Sequence, residues 1–229
     1  MQPEMTPLDS PVWTALTSDQ QALGIGGPLA RRYHPEISPF VAVAERTPEA
    51  FAALAALIPA DGLAFMHTPD PVVLPDRFAV EWQKPLLQMV LEVPAVPADG
   101  PDHVALGADD VPEMIDLASR TRPGPFGPRT IDFGTYIGLR IDGRLAAMAG
   151  ERMRLGRAVE ISAVCVDPDF RGRGYAGLLM TRLARRMQAA GETPFLHVLS
   201  ENGSAIALYE KLGYVTRGSF FVTVFRHAA

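Results

Sequence analysis

The chain alternates between two hydrophobic periods, one typical of strands and one typical of helices. Residues 160–166 are rich in isoleucine and valine and predict a buried strand. Residues 178–190 place Leu179, Leu183 and Met187 four residues apart, with arginines between them, and predict an amphipathic helix. The short stretch that joins them is therefore a strand-to-helix turn.

The same alternation continues on both sides of this turn. In chain order, the pattern predicts a strand at 103–106, a helix containing Val111 and Leu117, strands at 135–141 and 144–154, the strand and helix above, a strand at 194–199, a helix at 202–212, and strands at 214–215 and 220–225. Asp142-Gly143 is a strong hairpin signal. Three antiparallel strands therefore lead into the turn.

The N-terminal part repeats the alternation without a glycine-rich turn of this kind. The pattern there predicts strands at 40–44, 63–66 and 86–93, a helix at 48–57 and a loop at 24–28. Residues 94–101 contain three prolines, and proline-rich spacers remain extended. We therefore divide the chain into an N-terminal α/β lobe (1–93), a linker (94–101) and a second domain (102–229).

The composition narrows the class of protein. With 229 residues, 48% of them hydrophobic, the chain is long enough to bury a sizeable core. Its net charge of −5 disfavours a nucleic-acid partner. The single cysteine cannot form an internal disulfide, no signal-peptide pattern is visible, and no apolar run approaches the roughly 20 residues of a membrane span. We expect a cytoplasmic protein without nucleic-acid or membrane partners, and no metal-ligand spacing indicates a metal.

The turn at 171–176, Arg-Gly-Arg-Gly-Tyr-Ala, has the character of an anion site. The first N–H groups of a helix lack intrahelical partners, and the helix dipole favours negative charge there. Glycine has no Cβ, so phosphate oxygens can approach the backbone closely. Arg171 and Arg173 add charged donors. The turn therefore predicts a diphosphate site.

One alternative is a dinucleotide site, since Gly172-x-Gly174-x-x-Gly177 matches G-x-G-x-x-G and Glu201 follows 24 residues later. That fingerprint begins directly at a strand end, whereas residues 167–171 intervene here. Only 52 residues follow Gly177, too few for a complete dinucleotide-binding sheet. A nucleotide-dependent oxidoreductase is therefore disfavoured.

Arg171-x-x-Gly174-x-Ala176, the preceding Val-Cys-Val-Asp-Pro run and the later stretch from Asn202 to Tyr214 resemble the motifs of the GNAT family of acetyl-CoA-dependent N-acyltransferases. The resemblance covers about residues 103–226 and is strongest to the FR47-like branch. It implies the GNAT fold, an α/β (α+β) arrangement with a mixed, mostly antiparallel sheet flanked by helices. It also implies a smaller N-terminal lobe that binds no coenzyme.

The resemblance further implies direct transfer of an acyl group, most simply acetyl, from acetyl-CoA or another acyl-CoA to a primary amine of a small molecule, without a metal. The implied coenzyme-binding residues are Val164, Cys165, Val166, Arg171, Gly172, Arg173, Gly174, Tyr175, Ala176 and Asn202. The pantetheine arm is expected along the strand at 164–166, where a backbone N–H, that of Val166, stabilises the oxyanion. A module that binds acyl-CoA without catalysis has the same sequence features and stays an alternative.

Two residues are candidates for acid–base roles. Glu160 precedes Arg171 by 11 residues, the spacing of the catalytic glutamate in histone-acetylating GNATs, and we expect a raised pKa and a general-base role. The alternative is a structural ion pair with Arg152, Arg154 or Arg157. Tyr209 matches the tyrosine that protonates the departing sulfur in many GNATs, and its alternative is aromatic packing.

Candidates for contact with the acceptor are Arg122, Phe126 and Arg129, in the loop after the first helix of the second domain, and His197. A solvent-exposed loop and a core histidine are the respective alternatives. Because arginine side chains suit carboxylates, an amine that carries an acid group is one predicted acceptor. The acidic chain is equally compatible with a polycationic amine.

Overall fold

The computed structural model describes residues 6–228. The first five residues, part of the N-terminal stretch without a signal-peptide pattern, lie outside the described residues. The strands are β1 (Gly24–Gly26), β2 (Ala30–Tyr33), β3 (Phe40–Val43), β4 (Ala64–Thr68), β5 (Phe78–Val90), β6 (Val104–Leu106), β7 (Tyr136–Ile141), β8 (Arg144–Leu155), β9 (Ala158–Val166), β10 (Thr193–Leu199) and β11 (Val215–His227). The α-helices are α1 (Pro11–Thr17), α2 (Pro48–Ala55), α3 (Val111–Thr121), α4 (Tyr175–Ala189) and α5 (Gly203–Lys211).

The strands form one eleven-stranded sheet in the order β1-β2-β3-β4-β11-β5-β10-β9-β8-β7-β6. Neighbouring strands are antiparallel except for the pairs β3/β4 and β9/β10, which are parallel. Helices α3 and α4 both pack against β8 and β9 and bury separate hydrophobic clusters. The predicted α/β fold with a mixed, mostly antiparallel sheet is confirmed.

Strand β5 links the two halves of the chain. It ends just before residues 94–101, which contain no helix or strand, yet it lies between β11 and β10 of the C-terminal half. It pairs with β11 from Phe78 opposite His227 to Val90 opposite Val215. The division at residues 94–101 stays a prediction, and strands from both sides of it share one sheet.

Two local predictions are wrong. The expected loop at 24–28 contains β1, which pairs with β2 from Gly24 opposite Tyr33 to Gly26 opposite Arg31. Gly24 also lets α1 pack closely, since a Cβ there would lie 2.4 Å from Cδ2 of Leu16. The expected pair of strands at 214–215 and 220–225 is the single strand β11, with a register shift between Thr216 and Gly218. Pairing with β5 keeps this polar stretch extended despite its weak strand propensity.

The amphipathic helix is confirmed as α4. Leu179, Leu183 and Met187 are each at most 1% exposed and belong to one cluster with strands β8 and β9. Burial of each such side chain stabilises the fold by about 1.5–3 kcal/mol. Within residues 6–228, none of the helices combines the length and the apolar character that a membrane span requires.

Strands β9 and β10 separate after a short paired stretch. They are paired only from Ala158 opposite Thr193 to Glu160 opposite Phe195, although both strands continue to Val166 and Leu199 respectively. Beyond Glu160 one edge of β9 therefore lacks β10 as a partner. This gap lies directly before the strand-to-helix turn and positions the candidate site.

Candidate active site

A cavity of about 470 Å³ lies where β9 ends and α4 begins. Nine of the ten residues predicted to hold a coenzyme line it together: Val164, Cys165, Val166, Arg171, Gly172, Arg173, Gly174, Tyr175 and Ala176. Thr121, Phe170, Gly177, Ser204 and Leu208 complete the wall. The fold therefore gathers β9, the turn, and the ends of α3, α4 and α5 around one space.

The turn presents bare backbone to this cavity. Gly172 and Gly174 have φ of 76° and 77°, and a Cβ built on either would meet no protein atom within 4 Å. Gly174 is the N-cap of the fifteen-residue α4 and supplies no side-chain cap, so the first N–H groups of the helix are open to a ligand. Arg171 and Arg173 make no ion pair with the described residues. The guanidinium of Arg173 lies 5.3 Å from the ring centroid of Phe170. The turn thus combines open amides with two cations that have no acidic partner within residues 6–228.

A buried carboxylate fixes the start of the turn. Asp167 is 2% exposed and pairs with Arg120 at 2.8 Å and with Arg144 at 3.2 Å. Its Oδ1 accepts a hydrogen bond from the N–H of Asp169 at 3.0 Å. The backbone between β9 and the glycines is therefore held in one conformation.

The strand edge beside the cavity carries unpaired amides. The N–H of Asp167 donates to the carbonyl of Ala146 in β8 at 2.9 Å. Successive N–H groups of a strand point to opposite edges, so the N–H of Val166 points into the gap left by β10. An extended ligand chain can therefore add to β9 at this edge as a further strand would.

A bulge interrupts β9 directly before Cys165. Two residues, Ala163 and Val164, occupy the register between the pairs Met148/Cys165 and Gly150/Ser162. Ala163 has φ of 53°, a left-handed conformation that is strained for a residue with a Cβ. The amino-acid sequence gives no signal for this bulge, because alanine, unlike glycine, does not favour a positive φ.

Helix α5 borders the cavity with Ser204 and Leu208. Asn202 caps the helix through its side-chain oxygen, which accepts the N–H of Ala205 at 3.2 Å, and it is not among the lining residues. Tyr209 follows Leu208, and its ring centroid lies 6.2 Å from that of Tyr214. Burial raises the pKa of the Tyr209 hydroxyl above its ordinary value.

Glu160 is fully buried in an ion pair. Nε and Nη2 of Arg152 donate to its two oxygens at 2.7 and 2.6 Å, and Nδ1 of His197 lies 2.7 Å from Oε1. Burial alone would raise the pKa of Glu160, but attraction to Arg152 and hydrogen bonds from both partners lower it well below its ordinary value. The expected rise in pKa is therefore wrong, and the alternative, an ion pair with Arg152, is present.

His197 is a satisfied core histidine. Arg217 donates to Oε1 of Gln88 at 2.9 Å, and Nε2 of Gln88 donates to the carbonyl of Leu8 at 2.9 Å. These contacts fix the amide, so its Nε2 faces Nε2 of His197 as a donor at 3.1 Å. Nδ1 of His197 faces the Glu160 carboxylate, which can only accept, so it donates to Oε1, and the His197 side chain is 2% exposed.

A second cavity, of about 1250 Å³, lies along one face of α3, where Ile115, Ala118 and Ser119 line it together with the C-cap residue Arg122. Ala118 and Arg122 line it, whereas Thr121 between them lines the first cavity, so this turn of α3 separates the two spaces. Phe126 also lines it and packs edge-on against Tyr136, with ring centroids 5.8 Å apart.

The third loop candidate, Arg129, is not among the residues that line the second cavity. It pairs with Asp132 at 2.7 Å and with Glu36 at 3.9 Å. Three of the four predicted acceptor contacts thus lie in different surroundings: Arg122 at the cavity, Arg129 in surface ion pairs and His197 in the core.

A curled, mostly antiparallel sheet with two splayed central strands, and a glycine-rich turn at the end of one of them, is the architecture of the N-acetyltransferases. The comparisons agree with this class. The chain matches the model of the family described as FR47-like protein over residues 136–222. An acetyltransferase of the GNAT family from Novosphingobium aromaticivorans has a TM-score of 0.92 and 43% identity, with 98% of this chain and 100% of that chain covered.

Two further relatives are more distant. The ribosomal protein bS18-alanine N-acetyltransferase of Salmonella typhimurium is 34% identical over 116 residues, which are 48% of this chain and 77% of that protein. A GCN5-related N-acetyltransferase from Kribbella flavida has the same fold, with a TM-score of 0.62, 15% identity, and 94% and 95% of the two chains covered. The chain belongs to the GNAT family of N-acetyltransferases.

Proposed function

We propose that the enzyme uses acetyl-CoA to acetylate a primary amine by direct transfer, with the coenzyme in the first cavity and the amine of a small-molecule acceptor in the second. The observation that carries this proposal is the position of the two cavities on either side of the last turn of α3. The first is lined by Val164–Val166 of β9 and the second by Leu199 of β10, and these residues lie beyond the stretch in which the two strands pair. A direct transfer requires such adjoining sites, because the amine must reach the thioester carbon.

The coenzyme is held by two kinds of contact. Its pyrophosphate accepts hydrogen bonds from the N–H groups of residues 172–176, and Arg171 and Arg173 neutralise its charge. Its pantetheine arm lies along Val164–Val166 at the open edge of β9. The two arginines and the open amides of the turn support this assignment.

Besides the coenzyme, the reaction needs the acceptor amine, a donor that stabilises the oxyanion and an acid that protonates the departing thiolate. The amine nitrogen attacks the thioester carbonyl, and the N–H of Val166 stabilises the oxyanion, a contact worth about 10²–10³ in rate. The C–S bond then breaks, Tyr209 gives its hydroxyl proton to the departing thiolate, and the proton that the attacking nitrogen loses on becoming an amide restores the Tyr209 hydroxyl. Glu160 and His197 are enclosed in the core, so the proton of the ammonium goes to water.

Tyr209→Phe is expected to lower kcat about 100-fold and to leave KM for acetyl-CoA nearly unchanged. The change removes the proton donor but keeps the ring that packs on Tyr214. Steady-state thiol release from acetyl-CoA measures both constants. Tyr214→Phe is the matched control, because its buried hydroxyl has no hydrogen-bond partner within residues 6–228 and kcat is expected to stay the same. Full turnover by the Tyr209 variant would assign this residue to packing instead.

The function itself is tested by thiol release from acetyl-CoA across a panel of primary amines. The proposal expects release that depends on both acetyl-CoA and a particular amine, with an acetylated product. Saturable binding of acetyl-CoA without release for any amine would favour the alternative, a module that only binds acyl-CoA.

A peptide amine is the second candidate acceptor. The relative from Salmonella typhimurium acts on an alanine of ribosomal protein bS18. The second cavity, at about 1250 Å³, exceeds the roughly 300–1,000 Å³ of common small-molecule pockets, which favours an acceptor longer than a single amino acid. We also propose a cytoplasmic location, supported by the use of acetyl-CoA and by the unpaired Cys165.

A further inference from the structure

Arg32 in β2 is a buried cation without a counter-ion. It is 2% exposed, its Nε and Nη1 donate to the carbonyls of Tyr33 and Leu57 at 3.0 and 3.1 Å, and no carboxylate within residues 6–228 forms an ion pair with it. Burial lowers the pKa of its guanidinium from the ordinary value. Buried charges are normally paired, so an unpaired one indicates a missing anion.

Arg32 lines the second cavity, which is the proposed acceptor site. A guanidinium has five N–H donors, and the two carbonyls account for only two of them. The remaining donors include those of Nη2, which can form a forked pair with a carboxylate. The side chain is therefore equipped to bind an anion inside this cavity.

The middle of the cavity is apolar. Phe65 and Trp82 stack edge-on with ring centroids 6.1 Å apart, and Leu63 and Leu199 line the same space. Leu63 and Trp82 are 44% and 37% exposed, unusually open for large hydrophobic side chains. An acceptor in this cavity is thus expected to carry an apolar segment that covers them.

The other charged side chains of the cavity are either paired or exposed. Lys84 pairs with Glu201 at 2.6 Å, and Arg122 and Asp61 are exposed to solvent. A carboxylate gains more from a desolvated partner than from a hydrated one, because attraction between charges is stronger at low dielectric. Arg32 is therefore the strongest anion partner that the cavity offers.

The distance across the sheet sets the length of the acceptor. From β2, which carries Arg32, to β10, which carries Leu199, the order of strands is β2, β3, β4, β11, β5 and β10. These five steps of about 4.8 Å amount to roughly 24 Å along the sheet, and the curl of the sheet and the reach of an arginine shorten the gap. A free α-amino acid has its amine and its carboxylate on one carbon atom and cannot span it.

Resting on the proposed function, we infer that the acceptor is an elongated primary amine with an apolar middle and a remote carboxylate, and that the carboxylate binds Arg32. Two kinds of acceptor share this chemistry. One is a free amino acid with a long chain between its amine and its carboxylate. The other is a peptide N-terminus followed by apolar residues and an acidic residue. In both, Arg32 holds the far end while the amine lies at the gap between β9 and β10.

The test measures acceptor binding to the full chain saturated with coenzyme A, by titration calorimetry, and then acetylation with acetyl-CoA. The small-molecule arm compares 12-aminododecanoate with dodecylamine, because a chain of this length comes closer to the distance between Arg32 and the gap. The peptide arm compares the tetrapeptide amides Ala-Phe-Leu-Glu and Ala-Phe-Leu-Gln. We expect the carboxylate member of at least one pair to bind about 10- to 100-fold more tightly, and the arm in which this occurs identifies the source.

Arg32→Gln is expected to abolish this preference, whereas Arg31→Gln, a matched change in the next residue, whose guanidinium donates to the carbonyl of Leu16, is expected to retain it. Arg32→Lys keeps the charge and is expected to retain part of the preference if Arg32→Gln does not fold. Equal binding within both pairs, or a preference that survives Arg32→Gln, overturns the inference. Preferential binding without acetylation instead leaves the inference intact and removes the proposed function.

Discussion

Gly174→Ala is expected to weaken binding of acetyl-CoA at least 100-fold while the protein stays folded. Gly174 has φ of 77°, which costs a residue with a Cβ about 1–2 kcal/mol. A Cβ there meets no protein atom within 4 Å, so the fold can accommodate it. It would nevertheless lie at the N-cap of α4, where the phosphates must approach the backbone, and the loss of several amide contacts exceeds the strain.

Gly143→Ala is the matched control for this prediction. Gly143 lies in the turn between β7 and β8, has φ of 78°, and its Cβ would also meet no atom within 4 Å. Thermal melting should show a similar small destabilisation in both variants, since the backbone strain is the same. Titration calorimetry with acetyl-CoA should show weak binding only in the Gly174 variant. Equal affinity in the two variants would mean that the turn does not hold the coenzyme.

Glu160→Gln is expected to reduce the free energy of unfolding by about 3–5 kcal/mol at pH 7. The change leaves the guanidinium of Arg152, which is 12% exposed, buried without its counter-ion, and it weakens the hydrogen bond of His197. Urea denaturation measures the loss. Glu81→Gln, which breaks the more exposed pair with Arg226, is the control and should cost no more than about 1 kcal/mol.

The pH dependence of this effect follows from the lowered pKa of Glu160. A carboxyl group whose pKa is lower in the folded state stabilises the fold fully above its unfolded value, here 4.5, and loses that contribution as the pH falls toward its folded pKa. The stability difference between wild type and Glu160→Gln should therefore be complete at pH 7 and shrink below about pH 4.5. A difference that is constant down to pH 3 would contradict the ion-pair assignment.

The same variant distinguishes a structural from a catalytic glutamate. With Glu160 in the core, kcat/KM of the folded fraction is expected to follow the ionisation of the acceptor amine in both wild type and variant. A selective loss of activity at acidic pH in the variant, with little loss of stability, would return Glu160 to the role of general base.

The lining of the first cavity, the proposed coenzyme site, was predictable from the sequence because its determinants are local. One strand, one glycine-rich turn and one helix supply all nine of the predicted residues that line it, and the turn chemistry of Gly172 and Gly174 can be read without knowledge of the rest of the chain. The order of helices and strands follows from hydrophobic periods in the same way. Tyr209 and Asn202 came from the motif on α5 rather than from any pattern of burial.

The environment of Glu160 could not be predicted, because it depends on strand register. A register shift places Arg152 and Met153 of β8 opposite Glu160 alone, and the ion pair between Glu160 and Arg152 crosses that hairpin. His197 joins from β10 across a parallel pair. A glutamate in a buried strand has a raised pKa when alone and a lowered one when paired, and only the tertiary structure decides between them.

The second cavity likewise could not be predicted from the sequence, because the residues that line it come from segments far apart in the chain. Arg32, Phe65, Phe126 and Leu199 lie on four separate elements or loops of the chain. Proline-rich loops fix several of these positions, and such loops carry no periodic signal. The unpaired state of Arg32 becomes visible only once all of its neighbours are known.

The most direct test of the proposed coenzyme site is a crystal structure of the chain with acetyl-CoA. We expect pyrophosphate oxygens within hydrogen-bond distance of the N–H groups of residues 172–176, and the pantetheine arm paired with Val164–Val166 at the free edge of β9. A coenzyme bound elsewhere, or a complex in which the amides of the turn contact no phosphate, would contradict it.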